Sequence, residues 1–366
     1  YVLDDYSALR NIENAKPTAK ASIYPIREAL MWEKSMPLGL PGKAFQGDNY
    51  YTATNLDPEA IITYYYGESY KSLKEQRQKK EKELIKSKSD TPYPSYSSLY
   101  SESNEEEPQL VFTIKDASEN VVKKVFKKPS KGLQRFHWNL RYEEKNPINL
   151  NSSSFYNPFA GASEGTLVNP GTFTIELGYY HKGVLTSMVS PTSFTVKALD
   201  NTVMPAKDRA SKVAFQRKVS TLQGKIQASQ RMLSEAENKI KYIKEAIKLV
   251  EQPIDVLSNS VRNIELKIKE ISIKLNGDPL KNRLDIQQLP TPSNRVRIIV
   301  SEQKYSTASP TQTHLESFDI AKEEYGPINE KIIALLKVDI KELEEKLKAI
   351  GAPYTPGRLE ILNCEI

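Results

Sequence analysis

Apolar and polar positions alternate with a period of two through much of the stretch from Ala60 to Leu199. Ile61, Thr63 and Tyr65 stand against Ile62, Tyr64 and Tyr66, and Leu110, Phe112 and Ile114 against Val111, Thr113 and Lys115. The pattern recurs in Phe136, Trp138 and Leu140, in Phe173, Ile175 and Leu177, and in Phe194 and Val196. Successive side chains on a strand point to opposite faces, so each run predicts a short strand with one apolar face. Asp116-Ala117-Ser118-Glu119-Asn120 predicts a turn between strands Leu110 to Lys115 and Val121 to Val125, and Asn169-Pro170-Gly171 predicts the corner that launches the strand of Phe173. Several such strands bury their apolar faces most economically as a two-layer antiparallel β-sandwich, placed here over 59–200. Trp138 faces its core and His137 the outside.

After Met204-Pro205-Ala206 the period changes. Val219, Leu222, Ile226, Ser229, Leu233, Ala236, Ile240, Ile243, Ile247 and Val250 recur in steps of three and four, and Ile254, Leu257, Val261, Ile264, Ile268, Ile271 and Leu275 repeat the pattern beyond Pro253. The first run predicts a helix of about 44 residues and about 65 Å, with Pro253 turning the chain into an antiparallel second helix that stops at Gly277-Asp278-Pro279. A short amphipathic piece spans Val296 to Val300. A last helix, Thr311 to Ile350, carries Phe318, Tyr325, Ile328, Ile332, Leu336, Ile340, Leu343, Leu347 and Ile350, with Gly351 and Pro353 as stops. These elements predict an antiparallel three-helix bundle over 201–352, the middle helix broken, whose apolar seam serves internal packing. Residues 353–366 form a C-terminal tail.

Two regions carry neither period. Residues 11–58, rich in Pro and Gly, predict an extended connector with turns at Pro37-Leu38-Gly39 and Pro41-Gly42, in which Ile26 to Lys34 could form two helical turns around Trp32. An insertion at 69–108 begins with a helix-forming but polar run, Lys71 to Ile85, and continues rich in Ser, Tyr, Pro and acid. Such a segment cannot drive its own burial, and it predicts a solvated helical arm with a flexible return.

Composition narrows the chemistry. The chain has 366 residues, enough for two or three domains, and no stretch approaches the roughly 18 consecutive apolar residues of a membrane span. With 52 Lys plus Arg against 46 Asp plus Glu, the formal charge of +6 is far from the focused field of a nucleic-acid binder. Even where Lys and Arg number 15 against 8 acids, between Pro205 and Leu275, the reading is a solvated basic face. The single cysteine, Cys364, excludes an internal disulfide framework and a cysteine-based zinc site. His137, His181 and His314 fall in no metal-ligand spacing, and the adjacent Asp4 and Asp5 would point to opposite faces of a strand. No catalytic, cofactor-binding or metal-ligating residue is assigned. The opening Tyr1-Val2-Leu3-Asp4-Asp5-Tyr6 reads as the tail of a strand entering a turn, which predicts that further residues precede it.

Five motifs suggest a family. Tyr1-Val2-Leu3-Asp4-Asp5-Tyr6-Ser7-Ala8-Leu9-Arg10 resembles the last propeller strand and exit of the bacterial sortilin-like, BNR-repeat proteins common in Bacteroidetes, and Leu40-Pro41-Gly42-Lys43-Ala44-Phe45-Gln46-Gly47-Asp48-Asn49-Tyr50-Tyr51 resembles their connector. Gly132-Leu133-Gln134-Arg135-Phe136-His137-Trp138-Asn139-Leu140-Arg141-Tyr142 and Pro170-Gly171-Thr172-Phe173-Thr174-Ile175 resemble the Ig-like domain that follows the propeller. Gly351-Ala352-Pro353-Tyr354-Thr355-Pro356-Gly357-Arg358 is similar to that family's tail. The resemblance implies that 1–10 is the end of a β-propeller, that the β region is Ig-like, and that the protein is extracytoplasmic: secreted, periplasmic or on the cell surface, associated with the outer membrane. The sequence contains no Asp-box, so a ligand site inside a propeller cannot be assigned to these residues.

The expected function is a non-catalytic binding or scaffold region that presents surfaces to other envelope proteins or peptide ligands, without cofactor, nucleic acid or transmembrane segment. The alternative is an accessory part of a glycoside hydrolase-like enzyme whose active site lies in the preceding propeller. A hydrolase needs two facing carboxylates or a positioned nucleophile and base, and no acidic pair is marked by its context. Tyr93, Tyr96 and Tyr100 lie in a Ser-rich stretch without neighbouring arginine, which argues against single-strand stacking.

Overall fold

A computed structural model describes residues 6–10, 20–33, 47–49, 56–150, 164–199, 202, 204–250, 255–304 and 306–358. The Asp4-Asp5 pair, the turns at Pro37 and Pro41, most of the connector motif, Pro253 and Cys364 lie outside these residues. The chain is mixed α and β and divides into two compact units, Tyr1–Glu143 with Leu167–Val203, and Glu144–Thr166 with Met204–Ile366. Among the described residues no helix is long and apolar enough to cross a membrane.

The first unit opens with a single turn, α1 (Ser7–Arg10), and two short strands, β1 (Ala21–Ile23) and β2 (Ala29–Met31). Strand β3 (Ala60–Tyr66) leads into the helices α2 (Leu73–Lys86) and α3 (Tyr96–Ser103), followed by β4 (Gln109–Asp116), β5 (Val121–Lys127), β6 (Gly132–Trp138), β7 (Gly171–His181) and β8 (Val184–Ala198). One sheet has the order β1-β3-β6 and the other β2-β8-β7-β4-β5. Every pairing is antiparallel except the parallel β2–β8 edge, where Ala29 faces Val196.

The period-two pattern explains why the sheets face each other. Ile62, Tyr64, Tyr66, Phe136 and Trp138 from one sheet share a buried core with Leu110, Phe112, Ile114, Phe173, Ile175, Leu177 and Phe194 from the other. The ring of Phe112 lies 4.7 Å from both Tyr64 and Phe136, and Trp138 meets Phe173 at 5.4 Å, in the tilted and edge-on geometries that aromatic rings prefer. The indole Nε1 of Trp138 donates to the Arg141 carbonyl at 3.0 Å, so its polar edge stays satisfied inside the core. At the turn after β4, the Asp116 carboxylate accepts from the backbone N–H of Ser118 and Asn120, and Glu119 takes the left-handed conformation with φ 61°.

Two expectations change here. Residues 26–33 do not form helical turns, and Lys34 lies outside the described residues. Ala29–Met31 is a strand, because the open edge of β8 offers hydrogen-bond partners that nine residues of isolated helix cannot match. Strand β8 is also far longer than the run around Phe194 suggests. It spans 15 residues and tolerates Pro191 because the β7–β8 register shifts there, between Val189 and Thr192.

The second unit contains α4 (Arg209–Ile247), α5 (Asp255–Asn276), α6 (Pro279–Arg283), α7 (Pro292–Gln303), α8 (Gln312–Ala334) and α9 (Ile340–Ala349). Lys244 pairs with Glu265 and Gln230 with Asn276, so α5 runs antiparallel to α4; Gln230 to Ser293 and Gln216 to the Gln303 carbonyl place α7 antiparallel along the remaining length of α4. Phe215 meets Phe318 and Lys239 pairs with Glu344, so α8 and α9 run parallel to α4. The stripes of α4, α5 and α8–α9 share one buried core that includes Ile226, Ile240, Ile243, Ile268, Ile332 and Leu347.

The last helix is not continuous. A π-helical turn, Leu335–Asp339, separates α8 from α9, and Leu335 rather than Leu336 is fully buried. From Ile328 to Ile332, Leu336 and Ile340 the apolar marks advance by fours, and each such step overshoots a helical turn by about 40°. Three in succession would carry the stripe about 120° off the core, and the wide turn absorbs the extra residue so that Ile340 returns to it.

One polar pair sits inside this core. The hydroxyls of Ser229 and Tyr325 are 2.8 Å apart, and Tyr325 Oη reaches the Lys225 carbonyl at 3.2 Å, which fixes the register of α8 on α4. Tyr325→Phe is expected to cost about 1–3 kcal/mol by leaving the Ser229 hydroxyl short of its partner. Chemical denaturation of Tyr325→Phe, Ser229→Ala and the double variant checks this, since the double variant should cost less than the two single changes combined.

Within the excursion between β6 and β7, residues 144–150 belong to the second unit. Lys145 Nζ donates to Thr221 Oγ1, Arg231 bonds the Ile148 carbonyl, and the Lys145 carbonyl lies against Gly224 of α4, where a Cβ would come within 3.0 Å of it. Residues 144–150 therefore form a strap that lies on α4 through a glycine gap.

Candidate interaction surface

The link from β3 to β4 is a helical hairpin built from α2 and α3, and neither helix contains a residue that is buried as a whole. Its order comes from caps and charges. Ser72 accepts from the Glu75 N–H while Glu75 accepts from the Ser72 N–H, a reciprocal cap; Ser95 accepts from the Ser98 N–H at the start of α3. Along α2, Arg77 pairs with Glu81 and Lys79 with Glu83 at the spacing that makes side chains neighbours on one face.

Arg77 clasps the hairpin. Its guanidinium donates through Nε and Nη2 to both oxygens of Glu102 on α3, at 2.6 and 3.0 Å, and through Nη1 to Glu81 at 2.6 Å. Glu105 closes the base, accepting from the Tyr70 hydroxyl at 2.5 Å and from the Leu73 N–H at 2.7 Å, where a carboxylate also meets the positive end of α2. Hydrogen bonding to Arg77 holds the Glu102 carboxyl below the usual range, and the two carboxylates push the guanidinium further up. Burial, then the hydrogen bond to Glu105, raises the Tyr70 hydroxyl.

A carboxyl with a depressed folded value stabilises the hairpin above the ordinary carboxylate range, and that contribution disappears as pH falls through the depressed value. Hydrogen exchange over 96–103, corrected for intrinsic rates, is therefore expected to lose protection only below about pH 4. Arg77→Ala should produce the same loss at neutral pH. Retained protection in Arg77→Ala would show that the clasp is not what orders α3.

The hairpin displays aromatic surface. Tyr93 is 88% exposed and Tyr96 81%, and the Tyr96 and Tyr100 rings stack one helical turn apart with centroids 6.0 Å apart. Ile85 and Leu73 add exposed aliphatic surface, and Lys80, Lys82, Lys86 and Lys88 are exposed beside them on α2 and its exit. Tyrosine and exposed apolar groups on an ordered frame are the composition of a contact surface. The flexible return expected for the second half of the insertion is thus an ordered helix. The Ser95 cap is its local signal; the pairing of Glu102 with Arg77, 25 residues away, has none.

The histidines sit in ordinary surroundings. His137 is on the outer face of β6 and pairs with Glu59. His181 lies edge-on to Tyr70 and Tyr179. His314 is buried at the start of α8, where Nδ1 accepts from the Thr311 N–H and from Gln303 Nε2, which leaves Nε2 to donate to Glu302 at 2.6 Å. This network ties the end of α7 to the start of α8. No group of three or more His, Cys, Asp or Glu among the described residues is placed to hold a metal ion. No protein-family model matches this chain, and no curated protein matches it.

Proposed function

We propose that this chain is a non-catalytic binding and scaffold region of an extracytoplasmic protein of the sortilin-like, BNR-repeat type, engaging other envelope proteins through the α2–α3 hairpin. In this reading the two facing sheets are an Ig-like sandwich, the helices of the second unit a coiled-coil-like bundle, and both serve as rigid supports. The observation that carries the proposal is the hairpin itself: two helices with no apolar residue in a core, held in order by Arg77, Glu102 and Glu105, that present Tyr93, Tyr96 and Tyr100 to solvent. Ordering such a segment costs conformational entropy with only the half-buried Leu84 and Leu99 to offset it, and contact with a partner supplies further burial.

A photo-crosslinking residue at position 96, in the intact protein in its native cell, is expected to give one discrete protein adduct. The same residue at exposed position 242 on α4 should give none, and the adduct should disappear when Tyr93 and Tyr100 are changed to serine. Identical adduct patterns from positions 96 and 242 would defeat the proposal.

A further inference from the structure

In a reciprocal helix cap the third helical residue is ordinarily Glu or Gln, whose side-chain oxygen stays a hydrogen-bond acceptor throughout the neutral range. In α8 a histidine takes that place. The Thr311 hydroxyl accepts from the His314 N–H at 3.2 Å, and His314 Nδ1 accepts from the Thr311 N–H at 3.3 Å. We infer that His314 makes the junction of α7 and α8 a pH-sensitive clip, in which a proton taken up from solvent at Nδ1 releases the cap of α8.

The hydrogen-bond pattern fixes where that proton goes. Glu302 accepts from Nε2 at 2.6 Å, so this nitrogen already carries a hydrogen and only Nδ1 is left to take another. Two N–H groups point at Nδ1, that of Thr311 and, at 3.2 Å, Nε2 of Gln303. Protonation turns the acceptor they share into a donor that faces both. It also sets a cation in the first turn of α8, at the positive end of the helix. With His314 8% exposed, solvent has little access to relieve the conflict.

The two donors respond differently. Gln303 is 5% exposed, and its Oε1 is buried without a hydrogen bond. Half a turn of the amide brings that oxygen onto the new Nδ1–H and leaves the nitrogen as the unpaired end instead. The backbone of Gln303 stays in place, because its carbonyl accepts from Gln216 Nε2 of α4 at 3.2 Å. The Thr311 N–H belongs to the main chain, and the described residues offer it no second acceptor. The amide adapts, so the cap is what opens.

Glu302 is the one charged side chain among the described residues in hydrogen-bond contact with the ring, and it stays on Nε2 in both states. The other charges on the elements packed around it are engaged elsewhere or stand at helix ends. Lys212 of α4 bonds the Ser306 carbonyl, Asp208 caps α4 through Ser211, and Glu316 of α8 accepts from Gln312. Lys304 follows the end of α7 and Arg209 opens α4.

Nuclear magnetic resonance of the full chain, labelled with ¹⁵N in histidine and threonine, tests the inference. The chain has three histidines, so single His→Gln changes assign the rings. At about pH 8 the His314 ring is expected as the Nε2–H tautomer. On acidification to about pH 5, the Thr311 amide, corrected for intrinsic rates, should exchange at least tenfold faster with the midpoint of the ring's own titration. The Thr221 amide within α4 should keep its protection. His314→Gln keeps an oxygen for the Thr311 N–H without a titrating ring, and should hold that amide protected at both ends of the range. An Nδ1–H tautomer at about pH 8, a ring still neutral at about pH 5, or Thr311 exchange that does not follow the ring overturns the inference. Equal quickening at Thr221 would mean that the whole unit opens, and acid-induced loss in His314→Gln that the ring is not the trigger; either result also overturns it. None of these readouts involves the α2–α3 hairpin.

Discussion

Trp138→Ala is expected to destabilise the first unit by about 3–5 kcal/mol, a large share of the roughly 5–15 kcal/mol that holds a typical domain. Trp138 is 1% exposed, closes the end of β6 against Phe173 and Phe194 of the facing sheet, and satisfies its indole N–H on the Arg141 carbonyl. Truncation removes both ring contacts and leaves that carbonyl without its donor, in a cavity that β-strands on two sides cannot close. Urea unfolding followed by the near-ultraviolet tyrosine signal should show the transition of the β unit at lower denaturant. The helical signal at 222 nm should keep its midpoint, because the core of the second unit is built from other residues. Trp138→Phe, which keeps much of the volume and loses the hydrogen bond, should fall between the two. A shift below about 1 kcal/mol for the alanine variant would mean that the indole does not hold the sheets together.

Gly224→Ala is expected to lift the strap at 144–150 off α4. Two effects of opposite sign meet at this position. Alanine in a helix interior is favoured over glycine by roughly 0.8–1 kcal/mol, which stabilises α4. The new methyl, however, would lie within 3.0 Å of the Lys145 carbonyl oxygen, and this is backbone that no side-chain rotation can move away. The strap is held on α4 by the Lys145 bond to Thr221 and the bond from Arg231 to the Ile148 carbonyl, whereas α4 is anchored by 13 buried residues. The strap therefore yields. Hydrogen exchange at 144–150 should quicken at least tenfold while α4 keeps or gains protection, and limited proteolysis should cut near Ile148. Unchanged exchange in the strap, with α4 loosened instead, would reverse this assignment of the weaker partner.

Much of the architecture was legible in residue order because it follows from local period. Alternation along Phe112, Phe136, Phe173 and Phe194 marked strands with one buried face, and the three-and-four spacing from Val219 to Leu275 marked helices with one buried stripe; these side chains form the two cores. The candidate surface was half legible. The polar helix at 71–85 and the exposed tyrosines were visible, but not the order of α3, which depends on one guanidinium meeting a carboxylate distant in the chain.

Sequence by itself determined the strands between Ala60 and Leu199, the long helices and most of the side chains that turn inward, since those choices depend on neighbours within a few residues. Tertiary structure alone decided four things: that Ala29–Met31 becomes an edge strand, that Arg77 orders α3, that Leu335 replaces Leu336 in the seam through a wide turn, and that 144–150 is seated in the gap left by Gly224. Each depends on a group supplied by a remote part of the chain: an open sheet edge, an opposite charge, a fixed core or a missing methyl. No local period encodes such a partner, because its energy exists only once the fold has brought the two together.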